Sequence, residues 1–291
     1  MPELLPDWLD LRNFLLFLLI FSPLEYILPI HEKAKLLRRG WGTDVLHFFF
    51  SGIFIKLGLF LVVIFSIQLG SISIPNDFQA WLGGIPTWLQ IISAIIIADL
   101  GFYLSHRLMH AVPTLWRFHV VHHSSEKLDW LASYRVHPVD QVIVKGSSLV
   151  PIFALRFSDT TILITSIIYH WQGLLLHSNV NMKIGPLKWI IASPEFHHWH
   201  HANQEEAYDK IFAGQLSFWD WLFGTTYMNG GKPETYGVDE HIPMGYIQQL
   251  AYPSNRRAII HRQRSKTLIF QHKTSELTLS LYRIPSPYPR T

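Results

Sequence analysis

The stretch Asp99–His123, DLGFYLSHRLMHAVPTLWRFHVVHH, decides how this chain folds and what it can bind. An apolar run passes directly into histidines spaced as HxxxH and then HxxHH, and a second HxxHH group follows further along the chain. Residues at i, i+3 and i+4 share one face of a helix, so each group can bind one metal with several imidazoles. The candidate ligands in the three groups are His106, His110, His119, His122, His123, His197, His200 and His201.

The histidine content indicates a transition metal. All but five of the 17 histidines lie between His106 and His201, and the chain has no cysteine. Imidazole suits zinc, copper, iron and nickel, whereas magnesium and calcium prefer oxygen ligands. Thiolate ligation and disulfides are excluded, so imidazole and oxygen must provide every ligand.

Composition and apolar runs predict a membrane protein. The chain is 49% hydrophobic and only 15% charged, and a spanning helix needs about 20 apolar residues. Candidate spans are 12–30, 46–69 and 87–105, while the weaker runs 141–157 and 160–177 could form a re-entrant hairpin or a pair of spans. We therefore expect an all-α integral membrane protein with about four transmembrane helices or hairpin segments. A cytosolic helical cap would hold a histidine-rich di-metal site.

The first apolar run could also be a secretory signal. It follows an acidic rather than a basic start, and no small-residue cleavage site follows it, so we interpret it as an anchor. The acidic residues are Glu3, Asp7 and Asp10.

Loop charges predict the orientation of the chain. The loop 31–42 contains Lys33, Lys35, Arg38 and Arg39, whereas the loop 71–86 has no lysine or arginine. Cytoplasmic loops are enriched in basic residues, so the first loop and the metal site should face the cytoplasm. A bacterial inner membrane and the endoplasmic reticulum are equally consistent with this orientation.

Two further polar residues share the helical stripe of His106 and His110. Asp99 and Tyr103 lie at i and i+4 of that stripe, and we take them as candidate catalytic residues. A carboxylate within a membrane helix is costly and needs a partner. That partner is either a ligand histidine or a purely structural group. The first is expected because ligand histidines usually donate their other N–H to a carboxylate or carbonyl.

The histidine groups, in this order after apolar segments, resemble the boxes of the fatty acid hydroxylase and sterol desaturase superfamily of membrane di-iron enzymes. Further phrases between about Asp99 and Thr225 carry the same resemblance. They are HVVHHSS from His119, RVHP from Arg135, HSNV from His177, PEFHHWHH from Pro194 and WDWLFGT from Trp219.

The resemblance implies that the eight box histidines bind two non-haem irons and that His177 is a further ligand. His170 is left open as a ligand, His137 is assigned to an outer or structural role, and His198 should point away from the metals. The chain departs from its relatives at Ile211–Ala213, where an Asn-Tyr-Gly or Asn-Phe-Gly phrase is common.

The implied activity is hydroxylation of a C–H bond in an acyl chain, sterol or ether lipid, with O2 and an external electron donor. The donor would be a separate partner of the cytochrome b5, ferredoxin or flavoprotein type. Desaturation at the same site is the alternative. A metal or proton transporter belongs to a different class, and would place its histidines near the middle of the bilayer. A haem electron carrier would need isolated axial pairs of ligands.

The chain divides into a membrane-bound hydroxylase-like domain at 1–250 and a basic, flexible tail at 251–291. The tail contains eight arginines and lysines from Arg256 to Arg290, which suit anionic lipid headgroups or plain solvent. The sequence contains no nucleic-acid motif, so no nucleic-acid partner is expected.

Overall fold

The computed structural model describes residues 11–31 and 37–254, and this part of the chain is helical without a β-strand. The predicted all-α class is confirmed. One helix, α2, contains a single π-helical turn at His47–Ser51. The helices are α1 Leu11–Ile27, α2 Trp41–Ser73, α3 Asn76–Gly84, α4 Thr87–Ala111, α5 Pro113–His123, α6 Pro138–Ala154, α7 Asp159–His177, α8 Pro194–His200, α9 Phe218–Leu222 and α10 Tyr246–Ala251.

Two helices in the described residues, α2 with 33 residues and α4 with 25, are long and apolar enough to cross a membrane. They correspond to the predicted runs 46–69 and 87–105. The other three runs also form helices, α1, α6 and α7, of 17 to 19 residues. Whether these three cross the bilayer remains a prediction.

Small residues allow the long helices to pack closely on α6. A Cβ atom on Gly101 of α4 would lie 2.4 Å from the backbone oxygen of Ser147. A Cβ atom on Gly70 of α2 would lie 2.1 Å from the backbone oxygen of Ala154. Close backbone approach through small residues is the usual packing mode of membrane helices.

A buried ion-pair network fixes the segment before α2. The Arg38 guanidinium donates to Asp44 and to Asp129, both at 2.6 Å, and Arg135 donates to the other oxygen of Asp44 at 2.5 Å. Gly40 has φ +84°, and a Cβ atom there would overlap the Arg135 guanidinium, so glycine is required at this position. The Arg38 side chain is therefore buried in ion pairs rather than exposed to solvent. Lys33 and Lys35, the other basic residues named with it in this loop, lie outside the described residues.

Helix ends bring the histidines together. The carboxyl half of α4 carries His106 and His110, and Pro113 at the first turn of α5 reverses the chain immediately afterwards. His177 is the last residue of α7. The Ser193 side chain caps α8 by accepting from the Phe196 amide. The histidine-rich segments thus meet at one end of the helical bundle.

The expected division between the domain and its tail falls at the edge of the described residues. Tyr252 follows α10, is buried, and packs in a cluster with Val120 and Ile242. Tyr252 therefore packs against the fold, and the domain boundary stays a prediction. The acidic start and the basic tail from residue 255 onward lie outside the described residues.

Candidate metal centre

Nine buried histidines form two adjacent clusters, and the inward-facing ring nitrogens of each cluster lie within 4.8 Å of one another. None of the nine is more than 8% exposed. Each HxxHH box contributes to both clusters. The first cluster contains His106, His110, His119, His123 and His200, and the second contains His122, His177, His197 and His201. The structure thus brings together all nine histidines that were predicted as ligands.

Hydrogen bonds to outer acceptors set the tautomers in the first cluster. His106 donates from Nδ1 to the Phe212 carbonyl at 2.8 Å, His119 to the Asp140 carboxylate at 3.1 Å, and His200 to the Lys210 carbonyl at 2.9 Å. These oxygens only accept, so each Nδ1 carries the proton and each Nε2 keeps a lone pair. The Nε2 atoms of His106 and His119 face each other at 3.0 Å.

Two members of the second cluster, His122 and His177, have the same arrangement. His122 donates from Nδ1 to the Arg135 carbonyl at 3.1 Å, and His177 donates to the Gly173 carbonyl at 2.8 Å. Their Nε2 atoms lie 3.0 Å apart, and the Nε2 atom of His197 lies 3.1 Å from that of His177. The lone pairs of His122 and His177 therefore point at each other.

Facing lone pairs repel unless a cation lies between them. Protonation of the rings does not supply that cation, because these imidazoles stay neutral. Burial, followed by repulsion from neighbouring imidazoles, holds the pKa of His122, His123, His197 and His201 well below the ordinary value. Burial lowers the pKa of His200 to about 3. Its Nε2 atom is buried and has no hydrogen-bond partner among the described residues. Neutral, desolvated imidazoles that aim lone pairs at a common point fit a borderline transition metal.

The loop that supplies two of these carbonyls is held by two buried carboxylates. Asp220 accepts from the amides of Phe212 and Ala213 at 2.7 and 2.8 Å. Asp99 accepts from the three amides of Gly214–Leu216 at 2.7 to 3.1 Å. Every amide from Phe212 to Leu216 is thus bonded to a carboxylate, which fixes the direction of the Phe212 carbonyl.

The same loop has an unusual backbone at Asp209 and Ile211. Asp209 and Ile211 have φ values of 54° and 59°, in the left-handed region that a β-branched residue rarely adopts. Lys210 lies between them and presents its carbonyl to His200. Backbone strain of this kind persists where the surroundings impose it, and it is common near functional sites.

The partner expected for Asp99 is different from the one observed. A bond to a ligand histidine was expected, but the Asp99 carboxylate bonds the Gly214–Leu216 amides and the Tyr169 hydroxyl, the latter at 2.9 Å. Tyr103, the other candidate catalytic residue, bonds Thr225 at 2.9 Å and is fully buried. Asp99 therefore acts on the histidines only through the loop.

Two carboxylates that the sequence did not predict lie against clustered histidines. One is Asp209, whose oxygen lies 3.5 Å from Nδ1 of His110. The other is Asp140. It lies in the first turn of α6, is fully buried, and accepts from His119. A carboxylate at the start of an apolar run, three residues after His137, was the available signal. The sequence could not identify the carbonyls of Lys210, Arg135 and Gly173 as partners, because every residue has a backbone carbonyl.

The three remaining histidines between His106 and His201 lie outside both clusters. His198 bonds the Tyr236 hydroxyl and the Ser178 carbonyl, so it points away from the clusters as expected. His137 accepts from the Val139 amide at the start of α6 and bonds the Leu250 carbonyl, a structural role. His170, which was left open, contacts the Tyr134 hydroxyl at 3.3 Å.

Comparisons with known proteins agree with this geometry. The family model for fatty acid hydroxylases matches residues 91–225. The chain is 32% identical to an ornithine lipid hydroxylase of Rhizobium tropici over 66% of this chain and 59% of that protein. It is 32% identical to human alkylglycerol monooxygenase over 54% of this chain and 34% of that protein. The identity to alkylglycerol monooxygenase of Xenopus tropicalis is 28%, over 77% of this chain and 48% of that protein.

The chain therefore spans less than two thirds of the length of these relatives. No solved structure matches the chain. The matched segment begins within α4 and ends at Thr225, and so it contains all nine clustered histidines.

Proposed function

Since the chain belongs to the fatty acid hydroxylase superfamily, with the family's domain at residues 91–225, we propose that it is an oxidoreductase that hydroxylates a C–H bond of a lipid. The observation that carries this proposal is the pair of histidine clusters with converging Nε2 lone pairs. We propose that each cluster binds one iron, through the nine histidines named above.

When bound, the two irons would supply the activation of O2 that the oxidation of an unactivated C–H bond requires. The residues of the chain hold and orient the ligands. Asp140 and the carbonyls of Phe212, Lys210, Arg135 and Gly173 keep the ligand protons on the outer nitrogens. Such outer bonds fix the ring orientation and raise the basicity of the ligand. The near-complete burial of the rings keeps bulk water from the reacting atoms.

The substrate and the partners follow from the relatives and from chemistry. One relative is named for ornithine lipid and others for alkylglycerol, so we propose a hydrophobic lipid, namely an acyl chain, a sterol or an ether lipid. Hydroxylation with O2 consumes two electrons beyond those of the C–H bond. We propose that a separate redox protein of the cytochrome b5, ferredoxin or flavoprotein type delivers them.

We also propose the membrane arrangement predicted from the sequence, with about four spans and a cytoplasmic histidine-bearing cap. The length and apolar character of α2 and α4 support it. The clustered histidines lie in the carboxyl half of α4 and at or near the ends of other helices. This placement favours a capped enzyme over a metal transporter.

Two measurements on anaerobically purified protein test the proposal. Elemental analysis with Mössbauer spectra of an iron-57 sample should find one iron for each cluster, and the two should be coupled. Lipids incubated with the protein, O2 and a reductant should then gain one oxygen atom. Loss of two hydrogens instead would identify a desaturase. A redox-inert metal that iron does not replace would refute the oxidoreductase.

A further inference from the structure

Two short segments outside the clusters expose an unusual density of large apolar side chains. One consists of the 3₁₀ turn Gly185–Trp189 and Ile190, and the other is α9. Trp221 is 60% exposed and Ile190 is 54% exposed in the part of the chain that the structure describes. The aromatic surface, as we call it, consists of Leu187, Trp189, Ile190, Phe218, Trp221 and Leu222.

Hydrogen bonds join the two segments into one surface. The Ser217 hydroxyl donates to the Lys188 carbonyl at 2.6 Å, and the Ala192 amide donates to the Gln215 carbonyl at 2.9 Å. Gln172 of α7 donates to the carbonyls of both Ala192 and Gln215. The segments are therefore fixed to each other and to the helical bundle.

Contacts with α4 set the depth of the aromatic surface. The Leu216 amide donates to Asp99, and Phe223 stacks on Tyr103 with ring centroids 5.0 Å apart. At 1.5 Å per residue, Asp99 and Tyr103 lie roughly 18 and 12 Å before the carboxyl end of α4 at Ala111. The residues between Leu216 and Phe223 thus lie beside the carboxyl half of α4, not beyond its end. A bilayer that surrounds α4 would reach them.

The charges around the aromatic surface suit a membrane interface. Within 182–191 and 216–223 the one acidic residue is Asp220, which is fully buried. Lys183 is exposed, and Lys188 places its ammonium 5.7 Å from the centre of the Trp189 ring. Tryptophan with lysine is typical of the boundary between headgroups and acyl chains. An exposed apolar patch with polar edges marks an interaction site.

We propose that the aromatic surface inserts into the headgroup and acyl boundary of the bilayer, as a membrane contact separate from the spanning helices. The proposal rests on the proposed function only in placing α4 in a bilayer. The occupant is lipid, with acyl chains against Trp221 and Leu222 and anionic headgroups near Lys183 and Lys188. The loop that presents carbonyls to His106 and His200 leads directly into α9, so this contact adjoins the metal centre.

The absence of cysteine from the chain permits a direct depth measurement. Leu222→Cys and Ile190→Cys each place one nitroxide spin label on the aromatic surface, on different segments. Leu61→Cys, at a 59% exposed position of α2, is the lipid control, and Glu234→Cys, at an exposed polar position, is the aqueous control. The full chain is reconstituted in phosphatidylcholine and phosphatidylglycerol vesicles. Power-saturation EPR then compares collisions with O2 and with a water-soluble nickel complex.

We expect the labels at 222 and 190 to collide more with O2 than with nickel, and to shift toward the values at 61. Values like those at 234 would overturn the proposal. Shielding from both reagents would also overturn it, because the surface would then be covered by protein, either the chain's own tail or a second copy. If the label at 61 were as accessible to the nickel complex as the label at 234, α2 would not lie in lipid. The proposed membrane arrangement would then be refuted. Absence of iron or of lipid oxidation would instead contradict the proposed function and leave the EPR result standing.

Discussion

A neutral histidine binds a metal through one nitrogen while its other nitrogen keeps the proton, and five of the clustered histidines donate that proton to acceptors outside the clusters. His106 and His200 use carbonyls of the loop at 209–216, whereas His122 uses the carbonyl of Arg135. The Arg135 side chain is itself fixed by Asp44 and by the approach of Gly40. The ligand geometry therefore depends on residues that contact no metal.

Alanine substitution should distinguish a histidine that binds metal from a buried histidine that does not. We expect His122→Ala to abolish turnover and to weaken iron binding by more than the roughly 10 to 100-fold that loss of an outer partner costs. His198→Ala, next to His197 but bonded to Tyr236 and Ser178, should keep most of its iron. Iron per folded chain, measured at equal monodispersity, provides the comparison. Equal loss of iron in the two variants would contradict the ligand assignment.

Asp140 should matter through its charge. An asparagine there can still accept from His119 Nδ1, but the negative charge that raises the basicity of the imidazole is lost. We expect Asp140→Asn to weaken metal affinity by about 10 to 100-fold. A competition titration with a chelator on the purified variant measures this. Affinity equal to that of the wild type would show that the bond only orients the ring.

Asp99 should behave differently because it bonds amides rather than a histidine. In Asp99→Asn, one amide nitrogen must face the N–H donors of Gly214–Leu216 or the Tyr169 hydroxyl, which leaves buried donors unsatisfied. The expected cost is about 1 to 3 kcal/mol of unfolding free energy. Thermal denaturation in detergent should show this loss, while the surviving folded protein should still bind iron. Weaker iron binding without a loss of stability would restore the original expectation for Asp99.

At the scale of elements, close packing of helices on α6 makes a specific prediction. A methyl group at Gly101 would meet the backbone of α6, whereas at Gly173 of α7 no heavy atom lies within 4 Å of the added carbon. Overpacking costs about 1 to 3 kcal/mol, so Gly101→Ala should lower the denaturation midpoint. Gly173→Ala should be neutral or slightly stabilising, because alanine is the better helix former. Similar midpoints for the two variants would show that α4 and α6 separate freely.

Helix positions were predictable from sequence because apolar length is a local property. All five apolar runs are helices, and the HxxxH and HxxHH spacings identified eight of the nine clustered histidines. The division of each HxxHH box between two clusters was not predictable, since it depends on how α8 docks against α5 and α7. The predicted partner of Asp99 was wrong because it also depends on how distant segments pack. The loop that it bonds is more than one hundred residues away in sequence.

At the scale of the whole molecule, the metal centre joins segments that lie far apart in the sequence. The clusters take ligands from α4, α5, α7 and the region of α8. Without a cation the lone pairs facing each other at 3.0 Å repel, and desolvation opposes their protonation. Metal binding should therefore contribute to the stability of the entire fold, as it does in proteins whose ligands converge only on folding.

Iron(II) added anaerobically to metal-free protein should accordingly raise the thermal denaturation midpoint. A ligand that binds only the folded state contributes about 2.7 kcal/mol at a free concentration 100 times its Kd, and each kcal/mol is worth about 2–4 °C in a domain of this size. Zinc should act similarly, since imidazole suits both metals, whereas magnesium at the same concentration should not because it prefers oxygen ligands. In His122→Ala the iron response should be smaller. An equal shift with magnesium would mean that the cation acts at surface carboxylates instead of at the nine histidines.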